Sequence, residues 1–310
     1  MKETIQGKSR FRGYMLIFLA GCLWGTMGIF VDLLTARGIS ALVIVFLRYT
    51  GGLIVLTALI LCVRGPSAFR ISRRGLFCSV LAGLLGQALF SSCYTESIRL
   101  IGMSNAVVLL YTAPVFVCIM SRLFYREPIT KNKIASLAIN ILGCWLCVTG
   151  GTVGGLKLSG MGILAGVGAG FLYATMTIIS KTAAEQDDPL TICFFSFVTA
   201  WVFACIAFRP LSETEAFLHP DVLLIVLLYG IFPTAGAYGI YLMGLGHGLE
   251  ASRVPVIASV ETVVAALIGI LWNGEAASLF KFIGIALVLI SIAVMNLLKT
   301  GRVSAAERQK

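Results

Sequence analysis

The sequence predicts an all-helical integral membrane protein in which ten transmembrane helices form two inverted-topology five-helix repeats around a central cavity. Three observations support this fold class: the composition, ten long apolar runs, and an internal similarity between the two halves. Of the 310 residues, 58% are hydrophobic and only 12% are charged. Soluble proteins carry about 25% charged residues, and a soluble core of this size cannot bury so many apolar side chains. The composition therefore excludes a soluble enzyme.

Each predicted helix corresponds to one apolar run of 17 to 25 residues. An apolar helix of about 20 residues crosses the hydrocarbon core of a bilayer, whereas a β-barrel needs alternating segments of about 10 residues. The predicted helices cover residues 14–32, 39–63, 75–95, 103–124, 134–150, 160–180, 190–208, 222–243, 254–273 and 279–298. The predicted organisation is an N-terminal tail (1–13), a first repeat (14–150), a linker (151–159), a second repeat (160–298) and a C-terminal tail (299–310).

Lysine and arginine residues are distributed unevenly between the predicted loops. If the N-terminus is cytoplasmic, 18 of the 24 basic residues face the cytoplasm, 5 face the opposite side, and Arg48 lies inside a helix. By the positive-inside rule, this distribution predicts that both termini are cytoplasmic in a multi-pass protein of the cell membrane, whether plasma or inner. It also explains the net charge of +10 without a nucleic-acid partner.

The nine cysteines lie within the apolar runs and are expected to pack as small hydrophobic residues. Cys144 and Cys147 have the spacing of a metal-ligand pair, but the chain has no second such pair. Its only histidines are His219 and His247. We therefore expect no metal site and no cofactor.

The two halves of the chain are similar in sequence. Segment 20–27 (AGCLWGTM) aligns with 169–176 (AGFLYATM) at an offset of 149, and Glu127 aligns with Glu275 at an offset of 148. Five predicted helices separate equivalent positions, and because five is odd, the second half must insert upside down. Inverted repeats are typical of secondary transporters, which bind substrate near the bilayer midplane between the repeats.

Several motifs occur in the order found in one transporter family. They are Trp24-Gly25, Phe46-Leu47-Arg48-Tyr49, Thr112-Ala113-Pro114-Val115-Phe116, Arg126-Glu127-Pro128-Ile129-Thr130, and Glu261-Thr262-Val263-Val264 followed by Gly274-Glu275. Between residues 14 and 298 the chain resembles an EamA-type member of the drug/metabolite transporter superfamily. The resemblance implies a ten-helix bundle whose central cavity opens alternately to each side, and transport of small organic metabolites. The sequence departs from the family at Thr262, where many members carry proline.

Glu261 is the only acidic residue near the middle of a predicted helix. A carboxylate at bilayer depth must be protonated, paired with a cation, or exposed to a wet cavity. Two roles remain open: a neutral side chain that joins two helices, or a cavity carboxylate that exchanges protons or binds an amine. Arg48 lies ten residues into the second predicted helix, and we expect it to form a structural ion pair with Glu261 or to bind carbonyl groups. Binding a carboxylate of the substrate is the alternative role.

Polar and aromatic side chains recur at helical spacing in equivalent helices of the two repeats. Polar side chains avoid lipid, so both sets face protein or water, either as interhelical contacts or as cavity lining. Aromatic rings in such a cavity suit a planar or cationic solute. With Glu261, the candidate substrate-binding residues are Trp24, Gln87, Ser91, Tyr94, Asn105, Tyr111, Tyr173, Thr234, Tyr238 and Tyr241.

Pro114 and Pro233 lie inside predicted helices and are candidate hinges for alternating access. The sequence therefore predicts a secondary transporter for an amino acid, an amine or a related small solute, with protons as a candidate coupling ion through Glu261. An intramembrane enzyme and a channel are the alternatives. No ATP-binding loop, catalytic dyad or selectivity-filter motif supports an ATP-driven pump or either alternative. The expected partners are the substrate and the lipid bilayer, and the chain is a monomer or a homodimer.

Overall fold

A computed structural model describes residues 2–151, 159–185, 187–208 and 219–297. Within these ranges the chain is helical and contains no strand. Ten helices are long and apolar enough to cross a membrane, which confirms the predicted number. They are α1 (Ser9–Thr35), α2 (Ala41–Val63), α3 (Arg73–Ile101), α4 (Asn105–Tyr125), α5 (Lys131–Thr149), α6 (Gly160–Ala184), α7 (Pro189–Ala207), α8 (Pro220–Leu245), α9 (Ala251–Leu271) and α10 (Leu279–Asn296). The C-terminal tail 299–310 and residues 152–158 of the linker lie outside the described residues.

Hydroxyl side chains define the start of several helices. Ser72 Oγ accepts the N–H of Gly75 before α3, Thr130 Oγ1 accepts the N–H of Lys133 before α5, and Ser159 Oγ accepts the N–H of Gly162 before α6. The first amides of a helix have no partner inside it, so a capping oxygen satisfies one of them.

Five of the ten helices are irregular: α1 is interrupted at Thr26, and the other four form two equivalent pairs. A π-helical segment occupies Leu84–Leu89 in α3, and another occupies Gly230–Gly236 in α8. Regular helix is interrupted at Tyr111–Thr112 in α4 and at Ser259 in α9. The sequence predicted irregularity at the two prolines alone, and Pro114 and Pro233 do lie beside or inside these segments.

Proline explains only part of this pattern. Pro233 has no N–H to donate within α8, and Thr234 Oγ1 donates to the carbonyl of Tyr229, five residues earlier. The π segment of α3 contains no proline; there Gly86 packs so closely on α6 that a Cβ would lie 2.3 Å from Met176 Cβ. In α9 the interruption lies at Ser259, although the chain has Thr262 in place of the family proline.

The helices pack in pairs that respect the repeat. Helix α5 packs against α10 and α2 against α7, so equivalent helices of the two halves meet. Helix α1 packs on α8 and α9, and its counterpart α6 packs on α3 and α4. Helices α2 and α8 cross at Gly51 and Gly230, where a Cβ on Gly230 would lie 2.4 Å from the Gly51 carbonyl carbon. Each of the irregular helices α3, α4, α8 and α9 thus packs on the first helix of one of the two repeats.

Candidate substrate-binding site

Glu261 lies just after the interruption of α9 and faces the interruption of α4. The Tyr111 hydroxyl donates to Glu261 Oε1 at 3.3 Å and also hydrogen-bonds the Thr262 hydroxyl. Glu261 is half-buried. Among the described residues, no lysine, arginine or histidine forms an ion pair with it. The carboxyl group therefore accepts a hydrogen bond from the Tyr111 hydroxyl and has no counter-cation in the part of the chain that the structure describes.

A small cavity lies against Glu261 between α4, α6 and α9. Both interrupted helices contribute to its wall, and Tyr173 of α6 completes it. The lining residues are Leu110, Tyr111, Ala113, Pro114, Tyr173, Pro255, Ala258, Ser259 and Glu261. Three of the predicted substrate-binding residues and one predicted hinge meet here. The wall combines aromatic rings, apolar groups and one carboxylate, which is chemistry suited to an amine with an apolar body.

A second cavity lies between α3, α6, α7 and α8. Three of the predicted substrate-binding residues, Gln87, Tyr238 and Tyr241, line it together with Met176 and Phe197. Gln87 lies in the π segment of α3, and its amide nitrogen is 3.6 Å from Met176 Sδ. A thioether sulfur is a weak acceptor, whereas the oxygen of the same amide accepts hydrogen bonds from Arg48 and Tyr49.

Trp24 contacts both tyrosines of the second cavity. Its ring centroid lies 4.9 Å from that of Tyr238 and 5.1 Å from that of Tyr241. Tyr241 in turn donates a hydrogen bond of 3.1 Å to Thr177 on α6. Aromatic residues from α1 and α8 therefore meet beside α6. The residue of α6 that is equivalent to Trp24 is Tyr173, which lines the first cavity instead.

Arg48 is buried beside the second cavity and does not meet Glu261. It donates to Gln87 Oε1 at 3.2 Å and to the Tyr49 hydroxyl at 3.3 Å, and its guanidinium carbon lies 5.9 Å from the Tyr238 ring centroid. Its Nε, like Trp24 Nε1, has no hydrogen-bond partner among the described residues. The expected ion pair between Arg48 and Glu261 is therefore absent from this structure, because Gln87 and the tyrosine rings surround the guanidinium instead.

The other predicted residues lie outside the walls of these two cavities. Thr234 donates to the carbonyl of Tyr229, and Asn105 donates to the carbonyl of Ile101, so each is bound to its own helix or the adjacent one. Tyr94 stacks on Phe90 with ring centroids 5.8 Å apart. Ser91 is buried in α3. The polar and aromatic residues that recur along α3 and α8 therefore separate into two groups. Gln87, Tyr238 and Tyr241 line the second cavity, whereas Ser91, Tyr94 and Thr234 line neither of the two cavities.

A buried network of charged side chains surrounds Glu127 at one end of the bundle, and the sequence did not predict it. Glu127 accepts the N–H of Ala251 at 2.7 Å, the N–H of Ser252 at 3.1 Å and the Ser252 hydroxyl at 2.6 Å. Lys181 Nζ lies 3.3 Å from Glu127 Oε1, and Lys133 Nζ lies 3.8 Å from Oε2. The signals in the sequence were the alignment of Glu127 with Glu275 and the place of Glu127 in the motif Arg126-Glu127-Pro128-Ile129-Thr130.

Glu127 is held in its charged form. Burial opposes ionisation, but the Ser252 hydroxyl and N–H, with Lys181 and the Ala251 N–H, hold the pKa of Glu127 below its ordinary value. Glu250 behaves in the same way: burial opposes its charge, and Lys133 and Arg253 lower its pKa. These carboxylates tie the end of α4 to the beginnings of α5 and α9 and to the end of α6.

Comparison with known proteins identifies a family for both halves of the chain. The model of the EamA-like transporter family matches residues 11–149 and again residues 160–297. A crystal structure aligns with a TM-score of 0.76 at 21% identity, covering 96% of this chain and 99% of that chain, which shows a shared fold.

Three curated relatives are similar to this chain over nearly their full length. An uncharacterized transporter of Archaeoglobus fulgidus is 27% identical over 286 residues, covering 91% of this chain and 95% of the relative. An uncharacterized transporter of Helicobacter pylori is 26% identical over 294 residues, covering 93% and 96%. The uncharacterized inner membrane transporter YicL of Salmonella typhimurium is 20% identical over 299 residues, covering 95% and 98%.

Proposed function

Because the chain belongs to the EamA-like transporter family and is a multi-pass membrane transporter, we propose that it is a secondary carrier of a small organic solute. The carrier works by alternating access, with each repeat rocking against the other. The solute is an amino acid, an amine or a related metabolite that carries a positive charge. The protein resides in the plasma or inner membrane of the cell, and both termini face the cytoplasm, as the distribution of basic residues indicates.

The observation that carries this proposal is the environment of Glu261. A half-buried carboxylate lies in a cavity between two interrupted helices, and the residues around it supply hydroxyl groups and aromatic rings but no cation. A charge at bilayer depth is costly unless something compensates it. A proton or an ammonium group of the substrate supplies that compensation, and competition between the two couples their movements.

The interrupted helices supply the moving parts. Pro114 follows the interruption of α4, and Pro233 lies in the π segment of α8. Helices with broken hydrogen-bond ladders bend where the ladder is missing, and transporters use such breaks beside the substrate. We assign the hinge role to these two positions.

Substituting Glu261 by glutamine tests the proposal. Purified protein is reconstituted in liposomes and screened with labelled amino acids and amines for counterflow, in which internal unlabelled solute accelerates uptake of labelled solute. We expect wild-type counterflow that depends on pH, and Glu261→Gln to fold but to lose the pH dependence. Glu96→Gln is the matched control, because Glu96 is exposed and pairs with Arg99 three residues away.

The outcomes separate the candidate functions. Counterflow in the Glu261→Gln variant with the wild-type pH profile contradicts the coupling role of Glu261. Flux without exchange acceleration indicates a channel. Chemical conversion of the solute indicates an enzyme. Either of the last two results contradicts a carrier.

A further inference from the structure

The two ends of the bundle carry the same local structure. Arg126 has a φ of 55°, and Gly274, which is 148 residues later, has a φ of 66°. After each of them comes a glutamate whose N–H closes the preceding helix: Glu127 donates to the Ser121 carbonyl at 3.2 Å, and Glu275 donates to the Gly269 carbonyl at 2.9 Å. The repeat therefore places Glu127 and Glu275 in the same backbone motif.

The lysine partners repeat as well. Thr130 caps the helix that carries Lys133, and Ser278 caps the helix that carries Lys281. Lys133 Nζ lies 3.8 Å from Glu127, and Lys281 Nζ lies 2.6 Å from Glu275. Each half thus has one acid–lysine pair at the junction between its fourth and fifth helices.

Contacts to the first helix of the opposite half also match. Lys181 Nζ lies 4.0 Å from the centroid of the Tyr125 ring at one end. At the other end, Asn273 Nδ2 donates to Asp32 at 2.9 Å. Tyr125 aligns with Asn273 at an offset of 148, and Lys181 aligns with Asp32 at 149. The helix pairs α4–α6 and α9–α1 are therefore joined in equivalent ways.

One set of contacts exists at the first end only. Glu127 accepts the N–H groups of Ala251 and Ser252 at the start of α9. The equivalent residues, 103 and 104, form the first turn of the helix Met103–Leu110, and Glu275 makes no hydrogen bond to them in the part of the chain that the structure describes. The side chain of Glu127 is 9% exposed and that of Glu275 is 51% exposed.

Packing between α4 and α9 shows the same difference. The segment Ala113–Tyr125 packs along the start of α9, at Ala251–Arg253 and Val254–Ala258. No comparable packing joins Met103–Leu110 to Val260–Leu271 among the described residues. The bundle is closed at the Glu127 end and open between these helices at the Glu275 end.

We propose that Glu275 and Lys281 form the second of two alternating locks, each of which holds one end of the carrier closed. The Glu127 lock consists of Glu127, Lys133, Ala251 and Ser252, and it is closed in this structure. When it opens, α4 and α9 close together at the other end, and Glu275 accepts the free N–H groups at the start of Met103–Leu110. A carboxylate is stabilised at a helix N-terminus by those amides and by the helix dipole.

This inference rests on the proposed carrier function, because two locks are useful only if both ends open in turn. The two locks exclude each other, since α4 and α9 are joined at one end or at the other. With a glutamate at each end, the state closed at the Glu127 end and the state closed at the Glu275 end form similar hydrogen bonds. Neither state is then much more stable than the other. The carrier can then reorient with a small difference in free energy.

Distances between spin labels in liposomes test the locks without any substrate. One label pair, at positions 129 and 247, lies on the two loops that the Glu127 lock joins. A second pair, at positions 103 and 272, spans the open end. We expect Glu127→Gln to lengthen the 129–247 distance and to create a short 103–272 population. Adding Glu275→Gln to that variant should reduce the short population about tenfold, because a charge-assisted hydrogen bond is lost.

Controls keep the test decisive if Glu127→Gln folds poorly. Ser252→Ala removes a hydroxyl that Glu127 accepts and leaves the acid in place, so it should open the same lock to a smaller degree. Glu96→Gln, which changes a side chain that pairs with Arg99 and with neither lock, should leave both distance distributions unchanged. A short 103–272 population that persists with Glu275→Gln, or that never forms when the Glu127 lock is opened, overturns the second lock. Normal distance shifts with no counterflow of any solute contradict the carrier function and leave the two locks supported.

Discussion

Arg48 and Glu261, the two charged residues deepest in the bundle, are each held by uncharged groups. Glu261 contacts the hydroxyl of Tyr111, and Arg48 contacts the amide oxygen of Gln87 and the hydroxyl of Tyr49. Tyr238, which lies 5.9 Å from the Arg48 guanidinium, also lines the second cavity. The two groups remain apart, so neither charge is neutralised by a direct ion pair between them.

Arg48→Ala should destabilise the protein more than it changes coupling. The substitution removes two hydrogen bonds to Gln87 and Tyr49 and leaves a cavity in a buried part of α2. Losing buried hydrogen bonds of a charged group costs about 1–3 kcal/mol. The measurement is the melting temperature in detergent, with Arg37→Ala as control, because the Arg37 side chain is partly exposed in its pair with Asp221. An Arg48→Ala variant as stable as the control would show that Arg48 is free to serve the substrate alone.

At the scale of elements, the network around Glu127 should make stability depend on pH. The pKa values of Glu127 and Glu250 are lower in the folded protein than their ordinary value, which is about 4.3 for glutamate. A group with a lowered pKa contributes stability above its ordinary pKa and loses that contribution as the pH falls through its folded pKa. We therefore expect the melting temperature to fall once the pH drops below about 4.3.

Glu127→Gln identifies the source of that loss. Glutamine at position 127 is uncharged at every pH. The variant should therefore have a lower melting temperature at neutral pH, and that temperature should fall less steeply on acidification than in the wild type. Glu96→Gln serves as the control, because Glu96 is exposed. Equal acid sensitivity in wild type and Glu127→Gln would place the loss of stability elsewhere.

The sequence predicted the elements better than their irregularities. Ten helices follow from apolar length alone, and the polar and aromatic side chains that recur at helical spacing pointed to α3 and α8, which do carry equivalent π segments. The π segment of α3 has no proline, and Gly86 within it packs closely on Met176 of α6, a tertiary contact that no local pattern encodes.

The sequence also did not predict which groups bind the charged side chains of Glu127 and Arg48. Glu127 is bound largely by backbone amides of Ala251 and Ser252, and backbone amides have no residue-specific signal in a sequence. Arg48 could reach any acceptor within its length, and the closest ones are an amide and a hydroxyl rather than the only deep acid. Residue types indicated that these side chains need partners, but only the packing of helices determines which ones they receive.

At the scale of the whole molecule, the inverted repeat explains both the similarity of the two ends and their difference. Equivalent helices meet as α2–α7 and α5–α10, so the bundle has an approximate two-fold relation. Exact two-fold symmetry would make the two ends of the bundle identical. The ends differ, because Glu127 is buried at one end and Glu275 is exposed at the other. The difference is concentrated where α4 and α9 begin and end.

The orientation of the whole bundle is the last prediction, and cysteine accessibility measures it. The nine native cysteines are replaced, and single cysteines are introduced for Arg70, between α2 and α3, and for His219, before α8. Both residues are exposed. The excess of basic residues on the side of Arg70 places that loop in the cytoplasm. In intact cells, a membrane-impermeant maleimide should therefore label position 219 and should reach position 70 only after the membrane is permeabilised. The reverse pattern would invert the assignment, and it would place the closed Glu127 end on the outer face, since α2 and α4 both finish on the same side as Arg70.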